Sequence, residues 1–229
     1  MAKSDNSTPY TASVYDTQIH STIPYYDAFH QETINLIKTM QLTPRRWLDT
    51  GCGTGTFVQK ALSKFPETHF VLSDPSAEML QAAKKKLAAL CEGRVQFLEP
   101  AATQDLPVNV GDFDVVTAIQ SHHYVQPAER VKATKVCHRL LAPGGVYVTF
   151  ENIRPLTPEG VAVGKQNWGS FQLKMGRSEE TVRGHLARFD VEYHPITLEE
   201  HLSLLRKTGF RTVELLWYSV MQAGFYAVK

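Results

Sequence analysis

The chain has 229 residues, 43% of them hydrophobic, which is enough for one packed domain with an appendage. Lys and Arg total 24 against 23 Asp and Glu, so the near-zero net charge does not favour a nucleic-acid partner. The cysteines Cys52, Cys91 and Cys137 form no CxxC pair, which argues against a disulfide framework and a zinc site. A polar start and the lack of a long apolar run argue against a signal peptide and a membrane span. We therefore expect a cytoplasmic protein without a metal.

Residues 1–45 are predicted to form an N-terminal arm. The first dozen residues are polar and predicted to be disordered, whereas the segment from Tyr15 to Met40 places apolar residues at helical spacing, broken by Pro24. We expect two helices that act as a lid. Aromatic faces suit a sulfonium cation and a flat acceptor, so Tyr15 and Tyr26 are candidate substrate contacts, with packing on the core as an equal alternative.

Residues 46–151 alternate short β-branched runs with longer amphipathic stretches, the pattern of repeated βαβ units. Strands are predicted at 47–49, 69–73, 95–98, 113–119 and 146–150. Helices are predicted at 57–64, 76–90 and 127–141, the last stopped by Pro143-Gly144-Gly145. The sequence thus predicts an α/β, doubly wound, Rossmann-like and mostly parallel sheet.

Two further segments follow this core. Residues 152–196 interrupt the alternation with prolines, mixed charge and scattered aromatics including Trp168, and are expected to form a cap insertion that contributes to the substrate site. Residues 197–229 are expected to complete the core with a helix capped by Gly209 and an antiparallel hairpin that turns at residues 221–223. With the hairpin, the sheet has seven strands.

The stretch WLDTGCGTGTF, residues 47–57, places glycines where the first strand turns into the first helix. Gly51, Gly53 and Gly55 allow positive φ and let backbone N–H groups approach a ligand directly. The dinucleotide pattern G-x-G-x-x-G would need glycine where this chain has Thr56, which disfavours a nicotinamide oxidoreductase. Asp74 ends the strand FVLSD about 20 residues later, where a carboxylate can accept both ribose hydroxyls. Loop and acid together predict a nucleoside site.

The motifs LDTGCGTGTF, VLSDPSAEML, FDVVTAIQSHHYV and LLAPGGVYVTFE resemble those of class I S-adenosylmethionine-dependent methyltransferases. The resemblance implies S-adenosylmethionine as cofactor and S-adenosylhomocysteine as product. The cofactor contacts that it implies are Asp49, Gly51, Cys52, Gly53, Gly55, Asp74, Pro75, Met79, Ala101, Ala102 and Gln120. Many members carry an acid in the place of Ala101 and Ala102, so adenine N6 is left to backbone, Gln104 or water. Asp49 is expected to order the loop and to face the amino-acid end of the cofactor, and Cys52 to be an inert thiol.

Candidate catalytic residues lie at the carboxyl ends of the fourth and fifth strands, where open α/β sheets bind ligands. His122 or His123 could take a proton from the acceptor, although adjacent side chains on a strand point oppositely and at most one would face the pocket. Glu151 could be a base or anchor a substrate cation, with pairing to Arg154 as an equal alternative, and Asn152 could contact the substrate. The alternative for the histidines is a set of hydrogen bonds that stabilise the loop.

The predicted function is transfer of a methyl group to a small-molecule acceptor by in-line displacement, in a monomer or homodimer. The arm and the SHHYV segment also resemble bacterial enzymes similar to tRNA wobble-uridine modifying enzymes, so methyl or carboxymethyl transfer to a tRNA base is an alternative. Mixed charge in the insertion disfavours it. A non-catalytic nucleoside-binding protein is the third possibility.

Overall fold

The computed structural model describes residues 8–90, 93–219 and 221–229. Cys91 and the first seven residues of the arm, part of the segment predicted to be disordered, lie outside these ranges. The residues described form one seven-stranded sheet with helices on both faces.

The sheet has the strand order β3-β2-β1-β4-β5-β7-β6. Neighbouring strands among β1 to β5 are parallel, while β7 is antiparallel to both β5 and β6. The strands are β1 Arg46–Thr50, β2 His69–Ser73, β3 Val95–Phe97, β4 Phe113–Ile119, β5 Leu141–Asn152, β6 Thr212–Ser219 and β7 Gln222–Val228. The predicted Rossmann-like fold with a C-terminal antiparallel hairpin is confirmed.

Eight α-helices are described, and several begin at a residue that satisfies their free N–H groups. Ser76 Oγ accepts from Met79 N, and Thr197 and Glu200 form a capping box. The helices are α1 Ala12–Thr22, α2 Tyr26–Thr39, α3 Thr56–Leu62, α4 Ala77–Leu87, α5 Pro127–Leu140, α6 Pro158–Lys174, α7 Glu179–Ala187 and α8 Leu198–Thr208. Within the described ranges, no helix has the length and apolar character needed to cross a bilayer.

The core has two layers because successive strand residues face opposite sides of the sheet. In β1, Trp47 packs in the layer beneath α1 to α4, and Leu48 packs in the layer beneath α5 and α8. Phe29 of α2 is fully buried and stacks on Phe150 of β5 with ring centroids 4.9 Å apart. Burial of such a side chain stabilises the fold by about 1.5–3 kcal/mol, so α2 is part of the core.

The structure corrects two predicted boundaries. β5 begins at Leu141, and its segment Pro143–Gly145, predicted to lie in a break, continues the strand. The reason is pairing: Leu141 is opposite Phe113 across a bulge, and Lys229 exchanges backbone hydrogen bonds with Gly144 and Gly145. The hairpin turn is also tighter than predicted, since β7 already begins at Gln222.

Candidate functional site

A cavity with about 920 Å³ of empty space, part of it open to solvent, lies at the carboxyl ends of β1, β2 and β4. The predicted cofactor residues that line it are Asp49, Gly51, Cys52, Gly53, Asp74, Pro75, Met79, Ala102 and Gln120. The arm contributes Tyr15 and Tyr26, and the turn after β4 contributes His122. Segments that are far apart in the sequence, and that the sequence analysis singled out, therefore line the same cavity.

The three loop glycines have positive φ but serve different purposes. A Cβ on Gly53 would project into open space at the cavity wall, with nothing within 4 Å among the described residues. A Cβ on Gly51 would collide with Ser121, and one on Gly55 would lie 3.1 Å from both Ala83 and Leu87 of α4. Gly55 does not line the cavity, so its requirement is close packing rather than the predicted ligand contact.

Asp74 links the glycine loop to the start of α4. Its Oδ2 accepts from Gly53 N at 2.8 Å, and its Oδ1 accepts from Ser76 N at 2.9 Å. Asp74 also lines the cavity, next to Pro75. Asp74 therefore holds the loop in shape and also faces the predicted ribose position.

Asp49 is buried beneath the cavity and accepts one hydrogen bond, from Thr117 Oγ1 at 2.7 Å. The loop N–H of Gly53 is held by Asp74, so the expectation that Asp49 orders the loop is wrong. Burial, assisted by the nearby charge of Asp74, raises the pKa of Asp49 to about 7. The same burial raises the pKa of the Cys52 thiol well above its usual range, which makes Cys52 an inert wall residue.

The segment after β3 forms the far end of the cavity. Ala102, Thr103 and Gln104 line it, whereas Ala101 lies behind the wall with its carbonyl held by Ser73 Oγ. The predicted contact from Ala101 is therefore not made by its side chain. Gln104 Oε1 and Ser121 Oγ are buried, line the cavity and have no hydrogen-bond partner among the described residues. Such atoms are costly unless a ligand or water satisfies them.

His123 and Glu151 form a buried pair behind the cavity wall. Glu151 accepts from the backbone N–H groups of His122 and His123, from Thr149 Oγ1, and at 2.7 Å from His123 Nδ1. Burial alone would raise the pKa of Glu151, but the His123 hydrogen bond lowers it to about 2. Neither residue lines the cavity, and Arg154 pairs with Asp190 instead of Glu151. The predicted roles of His123 as a base and of Glu151 as a base or Arg154 partner do not fit this geometry.

His122 does line the cavity, but both its ring nitrogens are engaged. Thr103 Oγ1 lies 3.1 Å from Nε2, and the Tyr147 hydroxyl lies 3.2 Å from Nδ1. Burial lowers the pKa of His122 to about 4, so it is neutral near pH 7. These contacts favour the alternative of a hydrogen bond network that stabilises the turn after β4.

A second and much smaller cavity, with room for about one water molecule, adjoins the first. Thr8, Tyr15, Gln120 and Tyr124 line both, so these residues mark the junction. Gln120 has φ of 55°, an uncommon conformation for a residue other than glycine, and its N–H donates to Phe150 O at 2.6 Å. Asn152 also lines the second cavity, and its contact with a substrate stays a prediction.

Trp168 lines neither cavity. Its indole Nε1 donates to Thr22 O at 2.6 Å, and its ring packs edge-on against His185 of α7. The predicted substrate contact of Trp168 therefore does not fit its position. The tryptophan instead joins the insertion to α1.

A polar cluster fastens α1 to the glycine loop, and sequence reasoning missed it. Asp16 accepts from Thr54 Oγ1 at 2.6 Å, from Thr56 Oγ1 at 3.0 Å and from Lys86 Nζ at 2.6 Å. Thr54 lies between two of the loop glycines and Thr56 follows the last one, but their partners on α1 and α4 are far away in the sequence. His30 of α2 also lines the cavity and had no signal beyond its helical spacing.

Comparison with known proteins agrees with this architecture. A family model of a methyltransferase domain matches residues 48–147. The carboxy-S-adenosyl-L-methionine synthase of Nautilia profundicola is 22% identical over 95% of this chain and 92% of its own length. That of Helicobacter hepaticus is 25% identical over 90% of this chain and 87% of its own.

Solved structures share the fold at identities below 25%. A SAM-dependent methyltransferase of Leishmania major superposes with a TM-score of 0.66 at 19% identity, over 95% of this chain and 78% of its own. Human N-acetylserotonin methyltransferase in complex with SAM gives 0.60 at 15% identity, and the present chain spans 58% of its length. The resemblance stated from the motifs is thereby confirmed for the core: residues 48–147 form the methyltransferase domain of an S-adenosylmethionine-dependent enzyme, and the chain shares the fold of such methyltransferases.

Proposed function

We propose that the enzyme transfers the methyl group of S-adenosylmethionine to a small-molecule acceptor. The observation that carries this proposal is the charge of the first cavity. Asp49 and Asp74 line it, and no Lys or Arg is among the described residues that do. A site with carboxylates and no cation suits the sulfonium and ammonium groups of S-adenosylmethionine.

The residues present fit the cofactor along its length. Asp74 would hold the ribose, the open side of Gly53 would admit the methionine portion, and the unpartnered Gln104 Oε1 can accept from the adenine amino group. The cofactor supplies an already activated methyl group on a sulfonium, so the protein needs little acid-base machinery. The absence of an exposed basic atom on His122, His123 or Glu151 is consistent with that demand.

The chain contributes alignment and exclusion of water. Thr8, Tyr15, Gln120 and Tyr124 at the junction would place the acceptor atom opposite the methyl group, while α1 covers the cavity. The acceptor's electron pair forms the new bond to the methyl carbon, and the pair of the broken carbon–sulfur bond stays on sulfur. A neutral acceptor also loses one proton, which we assign to water.

Formation of a carboxylated S-adenosylmethionine is a second candidate. The full-length match to synthases of that compound favours it. The cavity charge opposes it, because the added carboxylate would find no Lys or Arg among the described lining residues. Arg188 does not line the first cavity: its guanidinium lies 5.8 Å from the Tyr193 ring, pairs with Glu192 and hydrogen-bonds the Tyr124 side chain.

Calorimetry with S-adenosylhomocysteine, S-adenosylmethionine and NAD tests the proposal. We expect both sulfur nucleosides to bind and NAD not to bind. Mass analysis of the bound nucleoside after purification tests the second candidate: S-adenosylmethionine or S-adenosylhomocysteine supports methyl transfer, and a nucleoside heavier by one carboxyl group supports the carboxylated cofactor. Tight NAD binding without nucleoside binding would overturn both.

A further inference from the structure

His30 of α2 lies at the end of the first cavity where the glycine loop meets α3. Its ring centroid is 4.9 Å from that of Tyr26 and 5.7 Å from that of Phe57, and all three side chains line the cavity. Phe57 is the second residue of α3 and follows the loop directly. His30 therefore lies at the end that would receive the methionine portion of the cofactor.

Lys60 of α3 determines which ring nitrogen of His30 carries the proton. The Lys60 ammonium lies 3.2 Å from His30 Nδ1 and also donates to Asp27 Oδ1, one turn earlier on α2. An ammonium group has no lone pair and can only donate, so Nδ1 is the acceptor in this contact. Burial, with the Lys60 charge beside the ring, lowers the pKa of His30 to about 3. The ring is therefore neutral near pH 7, and its one proton is on Nε2.

The Nε2–H group of His30 is a buried donor at the cavity wall. The residue is 1% exposed, and within the described ranges its ring makes no hydrogen bond other than the one at Nδ1. A buried N–H is costly unless a ligand or a water molecule accepts from it. The histidine thus presents one donor, in a fixed tautomer, to whatever fills this end of the cavity.

The amino-acid end of S-adenosylmethionine carries a carboxylate, which needs hydrogen-bond donors once it leaves water. No Lys or Arg is among the described residues that line the cavity. The hydroxyl groups of Thr54 and Thr56, which also line it, donate to Asp16 instead. His30 Nε2 is a side-chain donor that remains available at this end.

We infer that His30 Nε2 donates to the carboxylate of bound S-adenosylmethionine, and that Lys60 is a positioning residue that holds the imidazole in the required tautomer. A cation in the cavity itself would repel the sulfonium, whereas the Lys60 ammonium lies outside the cavity and is paired with Asp27. This inference rests on the proposed function, because it assigns a further contact to the cofactor.

Three nucleosides separate the carboxylate from the rest of the cofactor. S-adenosylhomocysteine has the carboxylate and the ammonium group, decarboxylated S-adenosylhomocysteine keeps the ammonium group, and methylthioadenosine has neither. We expect calorimetry to show S-adenosylhomocysteine binding at least about tenfold more tightly than its decarboxylated form, a difference of roughly 1.4 kcal/mol. Equal binding of these two would overturn the inference and leave the proposed function standing. Failure of all three nucleosides to bind would overturn the proposed function.

Substitutions at His30 test the donor. His30→Phe keeps a ring of similar shape, so S-adenosylhomocysteine should bind about tenfold more weakly while the other two nucleosides change by less than about twofold. His30→Gln places an amide N–H near the position of Nε2 and should lose only about threefold. If His30→Phe weakens all three nucleosides equally, or weakens none, the histidine only shapes the cavity and the inference is wrong.

Nitrogen NMR of the imidazole tests the role of Lys60 and needs no turnover. In the unmodified protein the proton should be on His30 Nε2, and its resonance should move further downfield with S-adenosylhomocysteine than with the decarboxylated form. Lys60→Met should give a mixture of tautomers and weaken S-adenosylhomocysteine about threefold, and Lys60→Arg should restore both properties. Lys64→Met, at an exposed lysine just after α3, is the matched control and should change neither. An unchanged tautomer in Lys60→Met would overturn the role assigned to Lys60.

Discussion

Asp74 holds the glycine loop in shape and is also the predicted ribose ligand. The position after the second strand predicted a ribose contact, and the structure adds bonds to the N–H groups of Gly53 and Ser76. A substitution at this residue therefore acts on the loop as well as on a ligand. This dual role was not readable from the sequence, because it depends on how the glycine loop folds back over β2.

We expect Asp74→Ala to weaken S-adenosylhomocysteine binding by about 2–4 kcal/mol and to destabilise the fold by about 1–3 kcal/mol, since two N–H groups lose their acceptor. Asp74→Asn retains one oxygen acceptor, so it should lose less binding affinity and less stability than Asp74→Ala. Calorimetry and chemical denaturation measure the two effects separately. Unchanged affinity in a folded Asp74→Ala protein would refute the ribose contact.

Asp49 should make both stability and cofactor binding depend on pH. Its folded pKa of about 7 lies above the ordinary value, so the folded state holds a proton that the unfolded chain has lost. Stability is therefore lost as pH rises from about 4 to about 7, whereas affinity for a cationic ligand rises as Asp49 ionises. Calorimetry between about pH 5 and about pH 8 should show this gain, and a flat profile would contradict it.

Asp49→Asn isolates the carboxylate. The amide keeps an acceptor for Thr117 Oγ1 and removes the buried charge, so we expect stability at about pH 8 to rise by roughly 2–4 kcal/mol. Binding of S-adenosylmethionine should weaken about tenfold and lose its pH dependence. Asp112→Asn, at an exposed carboxyl group, is the control and should change neither quantity.

The residues after β4 show the limit of sequence reasoning at this scale. Alternation along a strand predicted that at most one histidine faces the cavity, and only His122 does. It could not predict which one, because the chain leaves the strand through Gln120 with positive φ and enters a 3₁₀ turn at His122–Tyr124. The change of backbone direction decides where each side chain lies.

Among the secondary elements, α1 is the candidate lid, and the Asp16 cluster is what holds it. The aspartate carboxylate receives hydrogen bonds from Thr54, Thr56 and Lys86, which outweigh burial and lower its pKa. We expect Asp16→Ala to lower the free energy of local opening of α1 by about 1 kcal/mol. Amide exchange in the helix should then be roughly fivefold faster. Hydrogen exchange with mass spectrometry measures it.

Thr17→Ala is the control for this variant, because Thr17 Oγ1 donates only to Val14 O on the exposed side of the same helix. If α1 is a lid, S-adenosylhomocysteine should slow exchange in α1 of the unmodified protein and in the control. If the amide exchange rate in α1 does not change when S-adenosylhomocysteine is added, α1 packs on the core and is not a lid. Deletion of the whole arm is uninformative, since α2 carries the fully buried Phe29 and Ile37.

The strands were more predictable than the helices of the insertion. β2 and β4 match the predicted ranges because short β-branched runs between turns have few alternatives. α6 and α7 had no clear apolar stripe, since α6 contains three glycines and its buried Trp168 and Gln172 face α1 and α7. Whether these segments form helices depends on packing against elements that are distant in the sequence, and the local sequence does not reveal those contacts.

For the whole molecule, charge balance sets the expected response to nucleic acid. With 24 Lys and Arg against 23 Asp and Glu, few phosphates could be neutralised together. We expect bulk tRNA to bind weakly at physiological salt, with a shallow dependence on salt concentration. Filter binding at two salt concentrations checks this. A tight complex with tRNA that weakens steeply as salt increases would instead favour methyl or carboxymethyl transfer to a tRNA base.

The sheet order also determines when the protein can finish folding during synthesis. β7 lies between β5 and β6, yet it is the last of the three in the chain, and Phe225 and Ala227 are fully buried. Until residue 228 has left the ribosome, β5 remains an open sheet edge and β6 has no partner strand. The nascent chain therefore carries an unpaired apolar edge until β7 has been synthesised, and aggregation competes with folding during that interval.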